Sequence, residues 1–400
     1  MSLRTIGFLC DARLVRHPFS NHHAATLDRV VPMSDTLKEL GVELFLFSPH
    51  HVDARHAEAS GFVLENGDFI QATRSVPRIN GNWYFNLYPK EKNPANMSMA
   101  EFIKWGQSRD INVYPSLDFS ILVNDKYASY QAISRLIPNV QPYSEIFNFS
   151  IAQLEHFLSI HTRVFLKPRY GGHGDGIVVL DRAAKELCAR FYLSGMRWLA
   201  TTTSLTTFIL SMKKLTGTAQ YIIQTGIDTE TYDDRVFDVR VMLVNNGHNW
   251  IYFPFIRLGG ASNDVSNIGQ GGTAEEAVQI LEKLYSRPIA EAILANIKHF
   301  SMQIASHLSQ QFPPGISELA LDIVLDKDQR PWLIEINIQP AMGFPGVVRK
   351  DAYYLTYQDI FHPNEEEMPV YEKYTKPYGQ CLAQYFYSQL NETSRPVKQE

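Results

Sequence analysis

The sequence predicts an α/β protein. A small N-terminal layer with a parallel sheet comes first, and a larger α+β region built from antiparallel hairpins follows. Three observations carry this reading. An apolar strand, Thr5 to Cys10, is followed by a helical stretch, Ala24 to Leu40, and then by a second strand, Val42 to Phe47. That β-loop-α-β order is the unit of a parallel layer. Further along, paired apolar runs flank Asn245-Asn246-Gly247 and again Asp326 to Arg330, the pattern of antiparallel hairpins. Hydrophobic residues make up 45% and charged residues 20%, which supplies apolar material for cores and argues against global disorder.

Composition excludes several function classes. With 400 residues, the chain holds about two to three domains at roughly 100–200 residues each. A formal net charge of −5 argues against a protein built to hold a phosphate backbone, so no nucleic acid is expected as a partner. No apolar run approaches the ~18–20 residues of a membrane span. The apolar run Ile6 to Cys10 ends at Asp11 and reads as a strand, not as a signal peptide. Cys10, Cys188 and Cys381 are far apart, with no C-x-x-C pair, which points to a reducing, cytoplasmic setting. The pairs His22–His23 and His50–His51 chelate poorly as neighbours, because adjacent strand residues face opposite ways, and surface roles are expected.

The elements follow in order. Gly41 stops the first helix. Residues 60–90 hold short strands and turns, with turns at Asn66-Gly67-Asp68 and Asn80-Gly81-Asn82. Asn86 to Asn96 is a loop, Met99 to Arg109 a helix, and Val113-Tyr114-Pro115 closes the first unit, so residues 1–120 form the N-terminal domain. Asn124-Asp125-Lys126 precedes a helix, Tyr127 to Leu136, broken by Pro138 and Pro142. A helix near Ser150 to Ile160 leads to strands Val164 to Pro168, Ile177 to Leu180 and Tyr221 to Gln224. Val236 to Val244 and Trp250 to Arg257 form a hairpin. Ala274 to Leu284 and Ile289 to Gln311 are helical, and Leu319 to Leu325 with Pro331 to Ile338 forms a last hairpin. Glu365-Glu366-Glu367 reads as solvated. The expected units are a central one over 121–220, a C-terminal one over 221–390, and a fraying tail over 391–400.

Four clusters carry chemistry. Lys167 ends a strand and is followed by Gly171, Gly172, His173, Gly174, Asp175 and Gly176. Such a loop presents several N–H groups to phosphate oxygens, or is a plain hairpin loop; no Walker Gly-Lys-Ser/Thr is present. Second, alternation sets Glu335 and Asn337 on one strand face, and a hairpin folded about residues 328 and 329 sets Asp322 opposite Glu335. Facing carboxylates repel. A hard cation such as Mg²⁺ removes the repulsion, as do an arginine or a shared proton. Third, Asp238 and Arg240 share a face, and a two-residue Asn246-Gly247 turn places Arg257 opposite Val236 on that face. Two guanidinium groups then suit an oxyanion, against the alternative of an exposed Asp238–Arg240 pair. Fourth, the strand ending at Gln224-Thr225-Gly226-Ile227-Asp228 offers backbone groups to an adenine edge and a carboxylate to a ribose, or is an ordinary strand-end turn.

The order of these clusters is more specific than any one of them. A lysine before a helix, a strand lysine before a glycine loop, a hinge strand, Asp-x-Arg, then Asp…Glu-x-Asn on a hairpin resembles the ATP-grasp superfamily over about Asn124 to Gly346. The N-terminal α/β unit resembles the domain that commonly precedes an ATP-grasp fold, here expected as two subdomains with antiparallel sheets. Phe237-Asp238-Val239-Arg240 and Val265-Ser266-Asn267-Ile268-Gly269-Gln270-Gly271-Gly272 resemble the YheC/YheD group of spore-associated members.

That resemblance implies roles. Lys126 and Lys167 match the phosphate-binding lysines, and Gly171 to Gly176 the loop over the triphosphate. Gln224, Thr225, Gly226 and Ile227 match the adenine hinge, with Asp228 or Glu230 on ribose. Gln224-Thr225 stands where an acidic residue is frequent. Arg240 matches the arginine that steadies the transferred phosphoryl group. Asp322, Glu335 and Asn337 match ligands of Mg²⁺, with Mn²⁺ as a substitute. Arg257 is a further candidate for charge neutralisation, and Asn267 for phosphate or substrate. The implied activity is ATP-dependent carboxylate–amine ligation through an acyl phosphate, joining a small carboxylic acid to an amine, amino acids or a peptide among them. Two alternatives stand beside it. One is carboxylate–thiol ligation loading an amino acid onto an acyl carrier protein, and the other a non-catalytic spore-coat-associated protein. A homodimer is the base-rate expectation for quaternary state.

Overall fold

The computed structural model describes residues 4–10, 29–65, 68–82, 97–172, 174–183, 186–193, 196–261, 263–266, 271–313, 315–338 and 371–393. The expected loop Asn86 to Asn96, the pair His22–His23, His173, Asn267 and Glu365 to Glu367 lie outside these residues, as do 394–400.

The first layer is a six-stranded sheet in the order β4-β3-β2-β1-β5-β6. Its strands are β1 (Arg4–Leu9), β2 (Val42–Asp53), β3 (Glu58–Glu65), β4 (Asp68–Ser75), β5 (Ile79–Asn82) and β6 (Asn112–Tyr114). β1 runs parallel to β2 and to β5, as the β-loop-α-β order predicts. The connecting helix α1 (Val30–Glu39) ends before Gly41, whose φ of +70 suits a glycine stop. Helix α2 (Met99–Gln107) opens on a capping box between Ser98 and Glu101. One expectation fails here. Asn80-Gly81-Asn82 is no turn but the buried strand β5, parallel to β1. A Cβ on Gly81 would lie 2.4 Å from the Phe8 ring, so the glycine serves close packing between strands.

The second sheet has the order β11-β10-β9-β8-β12-β7. It comprises β7 (Ser144–Phe147), β8 (Arg163–Pro168), β9 (Ile177–Ala183), β10 (Glu186–Leu193), β11 (Met196–Thr202) and β12 (Tyr221–Thr225). Helices α3 (Leu117–Asn124) and α4 (Lys126–Leu136) lead into it. Helices α5 (Ile151–Ile160) and α6 (Leu205–Thr216) cover one face, over a core that includes Val164, Leu166, Tyr221 and Ile223. The alternate residues Phe165, Lys167, Ile222 and Gln224 therefore share the other face.

The third sheet runs β16-β15-β14-β17-β18, with β13 (Thr231–Tyr232) beside β14. Its members are β14 (Arg235–Asn245), β15 (Trp250–Leu258), β16 (Thr273–Glu276), β17 (Glu318–Leu325) and β18 (Pro331–Asn337). Helices α7 (Ala277–Leu284) and α8 (Arg287–Gln311) close a core on Val239, Val241, Ile256, Leu321 and Ile323. The helix expected from Ala274 starts only at Ala277, because Thr273 to Glu276 pairs with β15. The β14–β15 register also differs from expectation. The ladder ends at Asn245–Trp250, leaving four turn residues where two were expected. The Asn246 side chain accepts from His248 N and Asn249 N at 3.0 and 2.8 Å and holds the wider turn. Arg257 accordingly faces Asp238, not Val236, but the shift of two residues keeps it on the same face.

That face changes character along its length. Met242, Val244, Phe253, Phe255 and Ala320 join one core with the N-terminal sheet and α9 (Lys376–Glu392), a helix that packs on α1 and runs past the expected end of order at residue 390. At this seam Arg29 forms a buried ion pair with Glu318, which also accepts from Tyr378 OH at 2.7 Å. Truncating Glu318→Ala leaves a buried guanidinium without that carboxylate. We expect a loss of about 3–5 kcal/mol, read as a lower urea midpoint. A midpoint equal to that of the parent protein would show that the seam is held by apolar packing alone.

Candidate functional site

The helix start before Lys126 is built by its neighbour. Asp125 caps α4, accepting from Tyr127 N at 3.0 Å and Ala128 N at 3.1 Å. Arg169, just beyond β8, clamps the same carboxylate with Nε at 2.8 Å and Nη2 at 2.6 Å. Lys126 N donates to Arg169 O at 3.0 Å. These bonds fix Lys126 beside the glycine loop, where its ammonium donates to Gly171 O and lies 3.0 Å from Glu335 Oε1. Lys126 thus reaches from the second sheet to the third. Asp125 and Arg169 were not singled out from sequence, although Asn-Asp-Lys before a helix is an N-cap signal.

Lys167 points into the same cleft. Its Nζ donates to Gln224 Oε1 at 2.6 Å, and Gln224 Nε2 donates to Ser144 Oγ at 2.9 Å. Burial pushes the Lys167 ammonium down to about 8; Glu335 and Asp322 pull it up and Lys126 adds to the fall. Phe165, two residues earlier on the same face, sets its ring 5.4 Å from Nζ. Strand alternation from Lys167 was sufficient signal for this residue. Gln224 thus turns towards Lys167. Two hinge amides are already used, since Thr225 N donates to Tyr143 O and Gly226 N to Arg163 O, each at 2.9 Å. They are not available to a base edge. Asp228 is exposed, and Glu230 is held by Lys327 Nζ at 3.1 Å and Tyr285 OH at 3.2 Å.

The described glycines of the loop begin at Gly171, beside the Lys126 ammonium. Gly171, Gly174 and Gly176 have φ values of +105, +74 and +77. At Gly176 a Cβ would fall 2.7 Å from Pro168, whereas at Gly171 and Gly172 it would meet nothing within 4 Å. Gly176 is therefore needed by the protein's own packing. The open side of Gly171 and Gly172 leaves room for a ligand to approach the backbone.

The third sheet supplies the opposing charges. Asp322 faces Glu335 across β17 and β18, as the spacing predicts, with a register shift just after the pair. Arg240 faces Asp322, and Arg257 faces Asp238. Arg257 Nε donates to Asp238 Oδ1 at 2.8 Å, and Arg257 Nη2 lies 2.9 Å from Asp322 Oδ2. Arg240 Nε approaches Asp322 Oδ1 at 2.6 Å as an ion pair, yet out of line for a hydrogen bond. Burial raises the Asp322 carboxyl, but Arg240 and Arg257 outweigh it and hold the group below the usual range. For Arg257 burial pulls down, and Asp238 and Asp322 overcome it and raise the guanidinium. Asn337 Nδ2 donates to Asp322 Oδ2 at 3.2 Å.

These residues fit a hard divalent cation. Asp322 Oδ1 is a buried carboxylate oxygen with no in-line donor, Glu335 stands across from it, and the Asn337 side chain adds an amide oxygen. Among the described residues no group of three or more His, Cys, Asp or Glu is placed to hold a metal. A Mg²⁺ here would therefore rest on two carboxylates and an amide, with ligand oxygens making up the remainder.

The loop that leads into the Val265–Gly272 motif ties the two sheets together, through Asp264, a residue the sequence reading did not single out. Asp264 pairs with Arg190 of β10 at 2.5 Å and accepts from Tyr192 OH at 2.7 Å. Arg190 and Arg163 also grip Asp181, at 2.5 and 2.6 Å. Two residues on from Asp264, Ser266 Oγ donates to Asp238 Oδ2 at 2.5 Å.

Comparison with known proteins accords with this geometry. The chain is 21% identical over 396 residues to the endospore coat-associated protein YheC of Bacillus subtilis (strain 168), covering 97% of each. Its fold matches D-alanyl-alanine synthetase A from Vibrio cholerae O1 biovar eltor at a TM-score of 0.52 and 12% identity, covering 97% of this chain and 99% of that one. It also matches a RimK domain ATP-grasp protein from Sphaerobacter thermophilus at 0.51 and 12%, covering 95% and 98%. The sequence profile of the YheC/D-like ATP-grasp family matches residues 119–362, more than half of the chain, and this protein belongs to that family.

Proposed function

We propose that the protein is an ATP-dependent carboxylate–amine ligase, working through an acyl phosphate and releasing ADP and phosphate. One observation carries the reading. Lys126, Lys167, Arg240 and Arg257 converge on the facing carboxylates Asp322 and Glu335 in one cleft between two sheets. A scaffold has no physical need to set a second carboxylate opposite the buried Asp322, since facing charges cost stability unless cations offset them. The name of the B. subtilis relative favours coat association as a second reading. That setting and catalysis are compatible.

In this reading Lys126 and Lys167 hold the nucleotide phosphates, and Phe165 gives the base an aromatic surface. The substrate carboxylate oxygen attacks the γ-phosphorus and the bond to the β-phosphate oxygen breaks, giving acyl phosphate and ADP. Arg240 stabilises charge on the phosphoryl oxygens in transfer. The amine then adds to the acyl carbon, loses a proton, and phosphate leaves as the amide forms. Asp322, Glu335 and Asn337 would hold Mg²⁺, which would supply charge neutralisation for the phosphates. The glycine loop excludes water, which otherwise hydrolyses the acyl phosphate.

The test is ADP and phosphate release from Mg-ATP across a panel of carboxylic acids and amines, amino acids included. We expect release that depends on one acid, with product mass naming the acceptor. Lys167→Ala should abolish it, and Arg240→Ala should lower kcat by about 10²–10³-fold. Full activity in Lys167→Ala would overturn the assignment. So would the absence of ATP binding by the parent protein.

A second outcome follows from Lys167. Its folded-state value near 8 lies below the ordinary 10.5, so by pH 8.5 much of the ammonium has lost its proton. Phosphates restore the charge, so nucleotide binding at pH 8.5 should take up a fraction of a proton and near pH 7 almost none. Calorimetry in two buffers of different ionisation heat measures this. Equal uptake at both values would exclude Lys167 as the phosphate partner.

A further inference from the structure

The second sheet ends in two edges of different character. At β7 the side chain of Gln153 caps backbone groups, donating to Ile146 O at 2.9 Å and accepting from Asn148 N at 3.0 Å. β11 is the other edge, and among the described residues no strand pairs with its outer side. Six of its seven residues are exposed. Trp198 and Leu199 are 57% and 65% exposed, so much of their apolar surface still meets water. Edge strands are usually blunted by charge, proline or a bulge. β11 has no proline, pairs with β10 without a register shift, and carries one charge, Arg197. β16, an edge of the third sheet, shows the contrast, since it carries Glu275 and Glu276.

The direction of the backbone groups on β11 follows from bonds further into the sheet. Arg182 N donates to Thr162 O at 2.9 Å, which turns Arg182 towards the β8 side and, by alternation, Asp181, Val179 and Ile177 towards β10. Tyr192 O accepts from Gly176 N at 2.7 Å, so Tyr192, Arg190 and Cys188 turn towards β9 in agreement. Leu187, Ala189 and Phe191 therefore bond to β11, and their partners Thr202, Ala200 and Trp198 bond back. Arg197, Leu199 and Thr201 are left with N–H and C=O groups that point out of the sheet. The side chains divide by the same parity. Trp198 stands opposite Phe191, whose ring lies 6.3 Å from that of Phe208 on α6, so Trp198 is on the helix-covered face. Leu199 stands on the other face, opposite Arg190.

We propose that β11 pairs with β11 of a second copy of this chain, antiparallel about a twofold axis at Leu199, joining two six-stranded sheets into one. The strand's own pattern selects that occupant. Full overlap of Met196–Thr202 with itself sets Leu199 opposite the same residue of the second copy. Leu199 is an outward-bonding position, so the axis falls on a hydrogen-bonded pair, flanked on both sides by Arg197 opposite Thr201. Every outward backbone group is then used. A register one residue off would set outward groups against inward ones. The opposed side chains are compatible as well. Trp198 meets Ala200, large against small, and Leu199 meets Leu199. Arg197 meets the neutral Thr201 and never its own copy, so no like charges face each other. A twofold contact has to be self-complementary in this way. The contact is small. Seven residues a side fall short of the ~20–30 a side of a standard interface, so the dimer is a reversible one. β11 lies three strands from β8, which carries Lys167, and the pairing does not depend on the ligase reading.

The test is sedimentation velocity on the full chain without nucleotide, from nanomolar to submillimolar concentration. We expect a reversible rise from monomer to dimer and no larger species, because a twofold contact closes on itself. Leu199→Lys sets two ammonium groups against each other at the axis, in a position already exposed to water. It should weaken the dimer about tenfold or more while the unfolding midpoint stays that of the parent protein. Disulfide cross-linking reads the register. A mixture of Arg197→Cys and Thr201→Cys should oxidise to a linked dimer, because the Cα atoms of a hydrogen-bonded pair lie within disulfide reach. Arg197→Cys alone should link no more than the parent protein does through its own cysteines. A chain that stays monomeric throughout, a dimer of unchanged strength in Leu199→Lys, or no more linkage from the mixture than from Arg197→Cys alone would each overturn the proposal. The cysteine pair decides the matter even if Leu199→Lys does not fold.

Discussion

Charge on one buried sheet face governs this protein. Asp238, Arg240, Arg257 and Asp322 stand side by side on three adjacent strands, all largely removed from water. Taking such ions out of water costs several kcal/mol each, so none is tolerated without partners. Strand alternation supplies the partners, because each residue lands opposite or diagonal to one of opposite sign. Asp322 is the junction, touched by Arg240, Arg257 and Asn337 and facing Glu335. A ligand carrying phosphate and metal charge exchanges partners within this set and need not create new buried charge. In the proposed function Lys126 and Lys167 would exchange Glu335 and Gln224 for phosphate oxygens.

The same face explains the arrangement of the layers. Two residues beyond Arg240 the side chains become apolar, and Met242, Val244 and Phe253 pack under the N-terminal sheet and the C-terminal helix. One sheet is thus half wall of the candidate site and half docking surface for the N-terminal layer. Rotation of the N-terminal layer is resisted by that core and by the Arg29–Glu318–Tyr378 contact at its far end. An acid or amine bound by the N-terminal layer would be presented to a wall of fixed position.

What was legible in the sequence follows from periodicity. Parity on a strand survives errors of register, so Arg257 reached the right face even though its partner was misplaced by two residues. Asp322 was placed opposite Glu335 because its hairpin turn was estimated closely. Asn80-Gly81-Asn82 misled because its composition is that of a turn, while burial between two strands decided its conformation. The strands β10 and β11 and helix α6 were left unread. β11 is exposed along its length and lacks the apolar alternation of a buried strand. The end of β12 was legible as a strand end, but which of its amides were spent depended on Tyr143 and Arg163, partners distant in sequence.

The last dependence joins the two halves of the cleft. Arg163, Asp181 and Arg190 form a charge cluster on the second sheet, and Asp238, Arg257 and Asp322 form another on the third. Asp264 enters the first and Ser266 the second, two residues apart on one loop. Two adjoining residues of an extended chain span about 7 Å, so the loop fixes the separation of the clusters within a narrow range. The separation also sets how far Lys167 on one sheet stands from Asp322 on the other. The spacing of the two walls that carry the lysines and the carboxylates thus rests on Asp264 and Ser266.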